Sequence, residues 1–244
     1  MKAVVLIAVL SWGCKDKPKA QPPTTGSQLG TGSAASKKPG PGPEPKQVGL
    51  PKGTGKPPVK TTKRLTKAQW EGAANLTYAD WDHDVRYLAD NHVEVRYRTK
   101  ARPKIGVTVT ASHCLDCLPM KLASWQAKTD AMKQLAIPSP NLRNRKDTVF
   151  EVGETTLNGQ PMIFSYQLGA NVAPDPDNEN QPSGEYTDAY VLHFNDGMNQ
   201  ISVAAAYADD TLADIKALTE LAPKEDLERV AKAFVDAFTQ AWAK

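Results

Sequence analysis

Apolar positions recur along this chain with two periods, and each predicts a different kind of element. Leu227, Val230, Ala231, Phe234, Phe238, Ala241 and Trp242 repeat at spacings of three and four behind Pro223. That stripe predicts a terminal amphipathic helix, which cannot hold its shape alone and must lie on another layer. Leu118, Leu122, Trp125, Thr129, Met132 and Ala136 repeat in the same way around Pro119, predicting a second helix with one face buried. Thr66-Lys67-Ala68-Gln69 reads as a capping box that opens a short helix carrying Trp70. Thr211 to Leu221, behind Asp210, predicts another short helix.

Elsewhere the period is two. Val93, Val95 and Tyr97 alternate with polar residues, as do Ile105, Val107, Val109 and Ala111, predicting two half-buried strands. Residues 147 to 168 read as a hairpin turning at Asn158-Gly159, because both positions tolerate positive φ. Met162, Phe164, Tyr166 and Leu168 line one face of its second strand. A further hairpin runs from Tyr186 to Tyr207 and turns at Asn195-Asp196-Gly197, with Ile201, Val203, Ala205 and Tyr207 on one face. Between the hairpins, Ala170 to Gly184 is acidic and punctuated by proline, which predicts a long polar loop. Hairpins force antiparallel pairing. The predicted fold class is therefore α+β, an antiparallel sheet built from hairpins with helices packed on it, over residues 67–244.

This order of elements resembles the PsbP-like fold, named for the photosystem II extrinsic protein. The resemblance covers about Val93 to Trp242. It rests on a strand ahead of a helix, the Gly159-Gln160-Pro161 strand entry, the Tyr186–Tyr207 hairpin with its Asp196-Gly197 turn, and the terminal amphipathic helix. It implies a fold that hosts mostly binding and assembly roles, so function has to be argued from a site.

Composition changes the picture before residue 67. Residues 15–66 hold 10 of the 19 prolines and 8 of the 16 glycines, with no aromatic residue, and predict a disordered tether. They carry 11 Lys/Arg against 2 Asp/Glu, whereas residues 67–244 carry 18 against 25. A mild overall charge thus hides a basic tether and an acidic domain. Without interleaved aromatics the basic stretch does not point to nucleic acid. It reads as a solvated spacer, or as a segment that lies against anionic lipid headgroups.

Ahead of the tether, Lys2 precedes the apolar run Ala3–Leu10, and Ser11-Trp12-Gly13 leads to Cys14. This is the layout of a secretory signal over residues 1–13. The run is too short to span a bilayer, which takes about 20 apolar residues. The placement of Cys14 behind Gly13 resembles the lipobox of bacterial lipoproteins. The resemblance implies lipidation at Cys14, with membrane lipid as the partner of the acylated cysteine and the cell envelope as the location. Lys15 after the cysteine implies the outer membrane.

Two cysteines remain, in Cys114-Leu115-Asp116-Cys117, and an oxidising exported compartment predicts that they pair. Three readings stay open. A structural disulfide would staple a loop. A thiol–disulfide exchange site would use a thiolate at the N-terminus of the following helix, assisted by His113. That site resembles thioredoxin-like context only locally: the flanking Trp and Gly-Pro interior are absent, and the cis-proline has no clear counterpart, with Pro138, Pro140 and Pro161 as candidates that no pattern supports. A zinc site would combine His113, Cys114 and Cys117 with His92 or His193, but lacks a second cysteine pair.

Other candidates are weaker. Asp175-Pro176-Asp177-Asn178-Glu179 begins like a calcium loop, yet Asn180 and Tyr186 stand where a tight-turn glycine and a bidentate glutamate belong. Asp80, Asp82 and Asp84 cluster around Trp81 without forming an evident acid–base pair. Trp70, Trp81, Trp125 and Trp242 read as core anchors. No metal or cofactor is expected. The expected function is a membrane-anchored envelope lipoprotein presenting a non-catalytic binding or assembly domain for an envelope protein or small ligand. The alternative is an envelope thiol–disulfide oxidoreductase using Cys114 and Cys117.

Overall fold

A computed structural model describes residues 49–100, 105–136, 149–175, 178–209 and 215–242. The signal segment, Cys14 and the tether as far as residue 48 lie outside the described residues, as do Pro138, Pro140 and Asp210.

Seven strands form one antiparallel open sheet: β1 (Trp81–Leu88), β2 (His92–Thr99), β3 (Ile105–His113), β4 (Val149–Leu157), β5 (Gln160–Asp175), β6 (Asn178–Asn195) and β7 (Asn199–Asp209). Their spatial order is β1-β2-β3-β7-β6-β5-β4. The sheet is thus two meanders, one of three strands and one of four, joined where β3 pairs with β7 from Ile105↔Tyr207 to His113↔Asn199. Among the described residues four helices complete the domain: α1 (Lys67–Ala74), α2 (Leu122–Ala136), α3 (Ile215–Leu221) and α4 (Lys224–Ala241). The α+β class read from the sequence is the observed one.

The predicted turns form for the predicted reason. Asn158 (φ 50°) and Gly159 (φ 82°) both take positive φ between β4 and β5. Next to that turn, β4 packs tightly on its neighbour: a side chain at Gly153 would stand 2.6 Å from the Phe164 ring. The capping box also forms, with Thr66 and Gln69 exchanging side-chain and backbone hydrogen bonds at the start of α1.

One face of the sheet makes the core. Val93, Val95 and Tyr97 of β2, Val107 and Val109 of β3, Ile201 and Val203 of β7, and Tyr190, Leu192 and Phe194 of β6 are all essentially inaccessible to solvent. α4 lies on this face and contributes Leu227, Val230, Ala231, Phe234 and Phe238. The Phe234 ring meets Trp81 at 5.1 Å, Tyr97 at 4.8 Å and Tyr78 at 5.4 Å between centroids. Truncating such a buried ring to alanine costs about 3–5 kcal/mol. α1 packs beside α4, where Trp70 meets Trp242 edge to face at 6.1 Å. α2 covers part of the opposite face, where the Trp125 ring lies 4.3 Å from that of His193. The sequence predicts a fully buried face for α2, but Leu122, Trp125 and Thr129 are only half-buried. The sheet beneath is mixed, with Ser165, His193 and Ser202 beside the buried Ile163 on this side.

Three further expectations are corrected. β1 was not evident from the sequence. Asp82 and Asp84 are not a carboxylate cluster but alternate residues of this edge strand, opposite Arg98 and Arg96 of β2. The segment Ala170–Gly184 is not a loop: β5 and β6 stay paired from Ala170↔Tyr186 to Asp175↔Asn178. Among the described residues they form a two-stranded ribbon there, since β4 pairs with β5 up to Leu168 and β7 with β6 up to Tyr186. The domain also begins earlier than residue 67. Residues 49–66, expected as tether, run across α4 as a strap, with Pro51, Pro58 and Leu65 buried.

Carboxylates and an amide of the domain hold the strap in place. Asp80 Oδ2 accepts the Gly49 N–H at 2.8 Å. Asp236 accepts the Thr54 N–H at 2.8 Å and the Thr54 hydroxyl at 2.9 Å. Asp196 Oδ2 accepts the Thr61 N–H at 2.7 Å and its hydroxyl at 2.6 Å. Asn199 Oδ1 accepts the Leu65 N–H, and its amide donates to Lys63 O. Charged acceptors on backbone donors make the stronger class of hydrogen bond, which is how a segment with so few apolar side chains is ordered.

Candidate functional site

Cys114 and Cys117 lie just past the end of β3, in the loop that leads to α2. They are joined by a disulfide, with their Cα atoms 5.2 Å apart. The loop is pinned on two sides. The Cys114 N–H donates to Met198 O at 2.8 Å, and Asn195 Nδ2 donates to Leu118 O at 2.9 Å. Both half-cystines are half-buried, while Leu115 between them is 67% exposed.

This geometry departs from the one that thiol exchange would use. α2 begins at Leu122, five residues beyond Cys117, so neither sulfur sits in its first turn. The helix dipole acts mainly within the terminal turn and therefore does little for either thiolate. His113 is engaged elsewhere: its Nε2 lies 2.8 Å from Leu65 O, and its ring packs on Trp70 at 5.8 Å. Pro161 is in β5, separated from β3 by β6 and β7.

The metal reading loses its ligands. Both thiols are consumed by the disulfide, and no group of three metal-binding side chains occurs among the described residues. His92 faces the Tyr87 ring at 5.2 Å, and His83 lies 2.6 Å from Ala74 O and packs on Tyr97. His193 sits between two hydroxyls, Ser202 Oγ at 2.8 Å from Nδ1 and Ser165 Oγ at 3.1 Å from Nε2. Desolvation under Trp125, with the Lys128 ammonium nearby, pushes its pKa down to about 3. An imidazole held neutral so firmly is a poor proton acceptor. The Ser165–His193–Ser202 trio is therefore a hydrogen-bonded support of the outer face and not a nucleophile with its base. The calcium-like stretch falls at the end of the β5–β6 ribbon, and its Pro176 and Asp177 lie outside the described residues.

Of the four tryptophans expected as core anchors, Trp70, Trp81 and Trp242 are buried in the core. Trp125 instead lies half-buried on the outer face, with the Lys128 ammonium 5.4 Å above its ring. An open groove of about 340 Å³ runs between α1 and α4 along Ala68, Gln69, Gly72, Leu76 and Ala241. It presents no ionisable side chain.

Sequence reasoning missed one group with unusual chemistry. Asp188 of β6 is fully buried on the core face. Its Oδ2 accepts the Tyr166 hydroxyl at 3.2 Å, and its Oδ1 has no partner among the described residues. Burial pushes its pKa up to about 7; the Tyr166 hydrogen bond and the Lys224 ammonium oppose that rise, and Glu225 adds to it. Lys224 pairs with Glu151 at 2.6 Å and lies 4.7 Å above the Phe164 ring and 4.9 Å above that of Tyr166. An acidic residue inside an otherwise apolar strand face was the available signal.

No family model matches the chain, and no curated protein matches it. Among solved structures, the crystal structure of human STARD10 aligns over 70% of this chain and 77% of its own, with a TM-score of 0.29 and 9% identity. So remote a likeness carries nothing to the function.

Proposed function

We propose that this protein is a lipid-anchored component of a bacterial cell envelope, probing its surroundings through a non-catalytic α+β binding or assembly module. The observation that carries the reading is the division of the chain. A signal-like run ends at Gly13-Cys14, and the described residues from 49 onward form a strap, a core and helices. Acyl chains on Cys14, each contributing about 0.8 kcal/mol per buried methylene, would hold such a module at a membrane permanently. Lys15 favours the outer membrane. The occupant of the module is an envelope protein or a small ligand. Labelled palmitate tests the anchor: the parent chain should incorporate it and stay with membranes through a high-salt wash that strips electrostatic binding, while Cys14→Ser should do neither. A Cys14→Ser chain that stays labelled and membrane-bound refutes the reading.

A second reading, envelope thiol–disulfide exchange, is favoured by the position of the disulfide on a surface loop with Leu115 exposed between its cysteines. Its reduction potential decides. Labile, catalytic disulfides lie near or above about −200 mV, whereas structural ones lie below about −300 mV. The distance of both cysteines from α2 predicts the structural range.

A further inference from the structure

We infer that the end of the sheet carrying the Cys114–Cys117 loop is a lipid-facing surface that docks on anionic bilayers. Three chain segments meet there and are tied by hydrogen bonds already described: the strap at Thr61–Leu65, the disulfide loop, and the β6–β7 turn. Leu115 and Met198 are 67% and 42% exposed at this end, on backbones brought together by the Cys114 N–H to Met198 O bond. The disulfide closes the loop that carries Leu115.

Charge identifies the occupant. Lys60, Lys63 and Arg64 of the strap, Lys67 of α1 and Lys121 ahead of α2 are all exposed at this end. The acidic groups there are fewer. Asp90 pairs with Lys67 at 3.9 Å, and Asp196 has both oxygens occupied, one by Thr61 and the other by the Met198 and Asn199 N–H groups. Asp116 is exposed. The outcome is an apolar tip inside a cationic rim, on a domain that as a whole carries 18 Lys/Arg against 25 Asp/Glu from residue 67 onward. Apolar side chains that enter the headgroup layer, surrounded by lysines that meet anionic lipid, are the chemistry of interfacial binding. The inference deepens the proposed anchoring. Chain between Cys14 and Gly49 can span on the order of 100 Å, enough for the tip to reach the bilayer that holds the acyl chains.

The test uses the full chain carrying Cys14→Ser, so that no acyl group contributes and a failure of the tip is separate from a failure of lipidation. The probe is vesicles of phosphatidylcholine and phosphatidylglycerol in a two-to-one mixture. The protein should co-sediment with them and be released by high salt. Adding Leu115→Asp and Met198→Asp together should weaken binding at least about tenfold, since two apolar anchors are lost. Both side chains are exposed, so the thermal midpoint should not move. Leu221→Asp, an equally exposed position on α3 at the far end of α4, should leave binding unchanged. Absence of binding by the parent, binding by the double variant equal to the parent, or an equal loss from Leu221→Asp each overturns the proposal.

Discussion

Two aspartates are buried in this domain under opposite circumstances. Asp236, on α4, is 3% exposed, and both of its oxygens are taken by Thr54 of the strap. Asp188, on β6, is equally hidden, yet one oxygen has only the Tyr166 hydroxyl at 3.2 Å and the other has no partner among the described residues. A carboxylate can be buried as an anion when the chain brings donors to it, and keeps its proton when it does not. Thr54 brings such donors to Asp236 on the strap side of α4, whereas Asp188, beneath the N-terminus of α4, has only the Tyr166 hydroxyl. Asp236 is therefore a means of attaching chain, and Asp188 a group whose protonation the fold controls.

Removing the donors is the largest perturbation of this contrast. A chain that starts at Lys67 lacks the strap and so loses Leu65 from the core along with the charge-assisted bonds to Asp80, Asp236 and Asp196. Relative to one starting at Gly49, it should lose at least about 4 kcal/mol in urea unfolding. Equal stability would show that residues 49–66 are tether after all. The narrower change, Asp236→Ala in the full chain, leaves Thr54 without its acceptor and should cost about 2–3 kcal/mol. Asp236→Asn should recover part of that through the Thr54 N–H, and no loss in either variant would mean that the strap is held by its apolar residues alone.

Whatever was carried by local chemistry could be read from the sequence. The stripe of α4, the capping box at Thr66 and the Asn158-Gly159 turn each depend on residues within a few positions of one another, and each formed. The strap did not announce itself because its order comes from carboxylates far along the chain: Thr54 bonds to Asp236 and Thr61 to Asp196. Its few apolar residues are too sparse to make a pattern. β1 was hidden for a different reason. Its outward positions are the charged Asp82 and Asp84, and its inward ones include His83, so an edge strand reads as a polar stretch. The disulfide pair was foreseen, but its distance from α2, which weighs against thiol chemistry, depends on where the helix starts. A Pro119 in the loop makes that start look three residues earlier than Leu122.

The smallest and most selective effects are on pH. Asp188 keeps its proton up to about pH 7 in the fold, whereas an unfolded aspartate loses it near about 3.9. Between these values the folded state binds more protons, so this group makes stability fall as pH rises. His193 acts in the opposite sense. Its folded pKa is about 3 against about 6.5 unfolded, so the unfolded state binds more protons in that window and stability falls as pH drops. Between roughly pH 4 and 6.5 the two contributions oppose each other, and the parent profile should be flatter than either group alone would make it. Asp188→Asn should gain on the parent by about 2 kcal/mol as pH is raised from 4.5 to 7.5. His193→Gln, which can still bridge Ser165 and Ser202, should gain by a similar amount as pH is lowered from 6.5 to about 4. Urea unfolding of each variant and the parent across this range gives both differences. If the Asp188→Asn difference is independent of pH, the buried carboxyl is ionised throughout and must have found a donor as Asp236 has, and the two aspartates would then be alike.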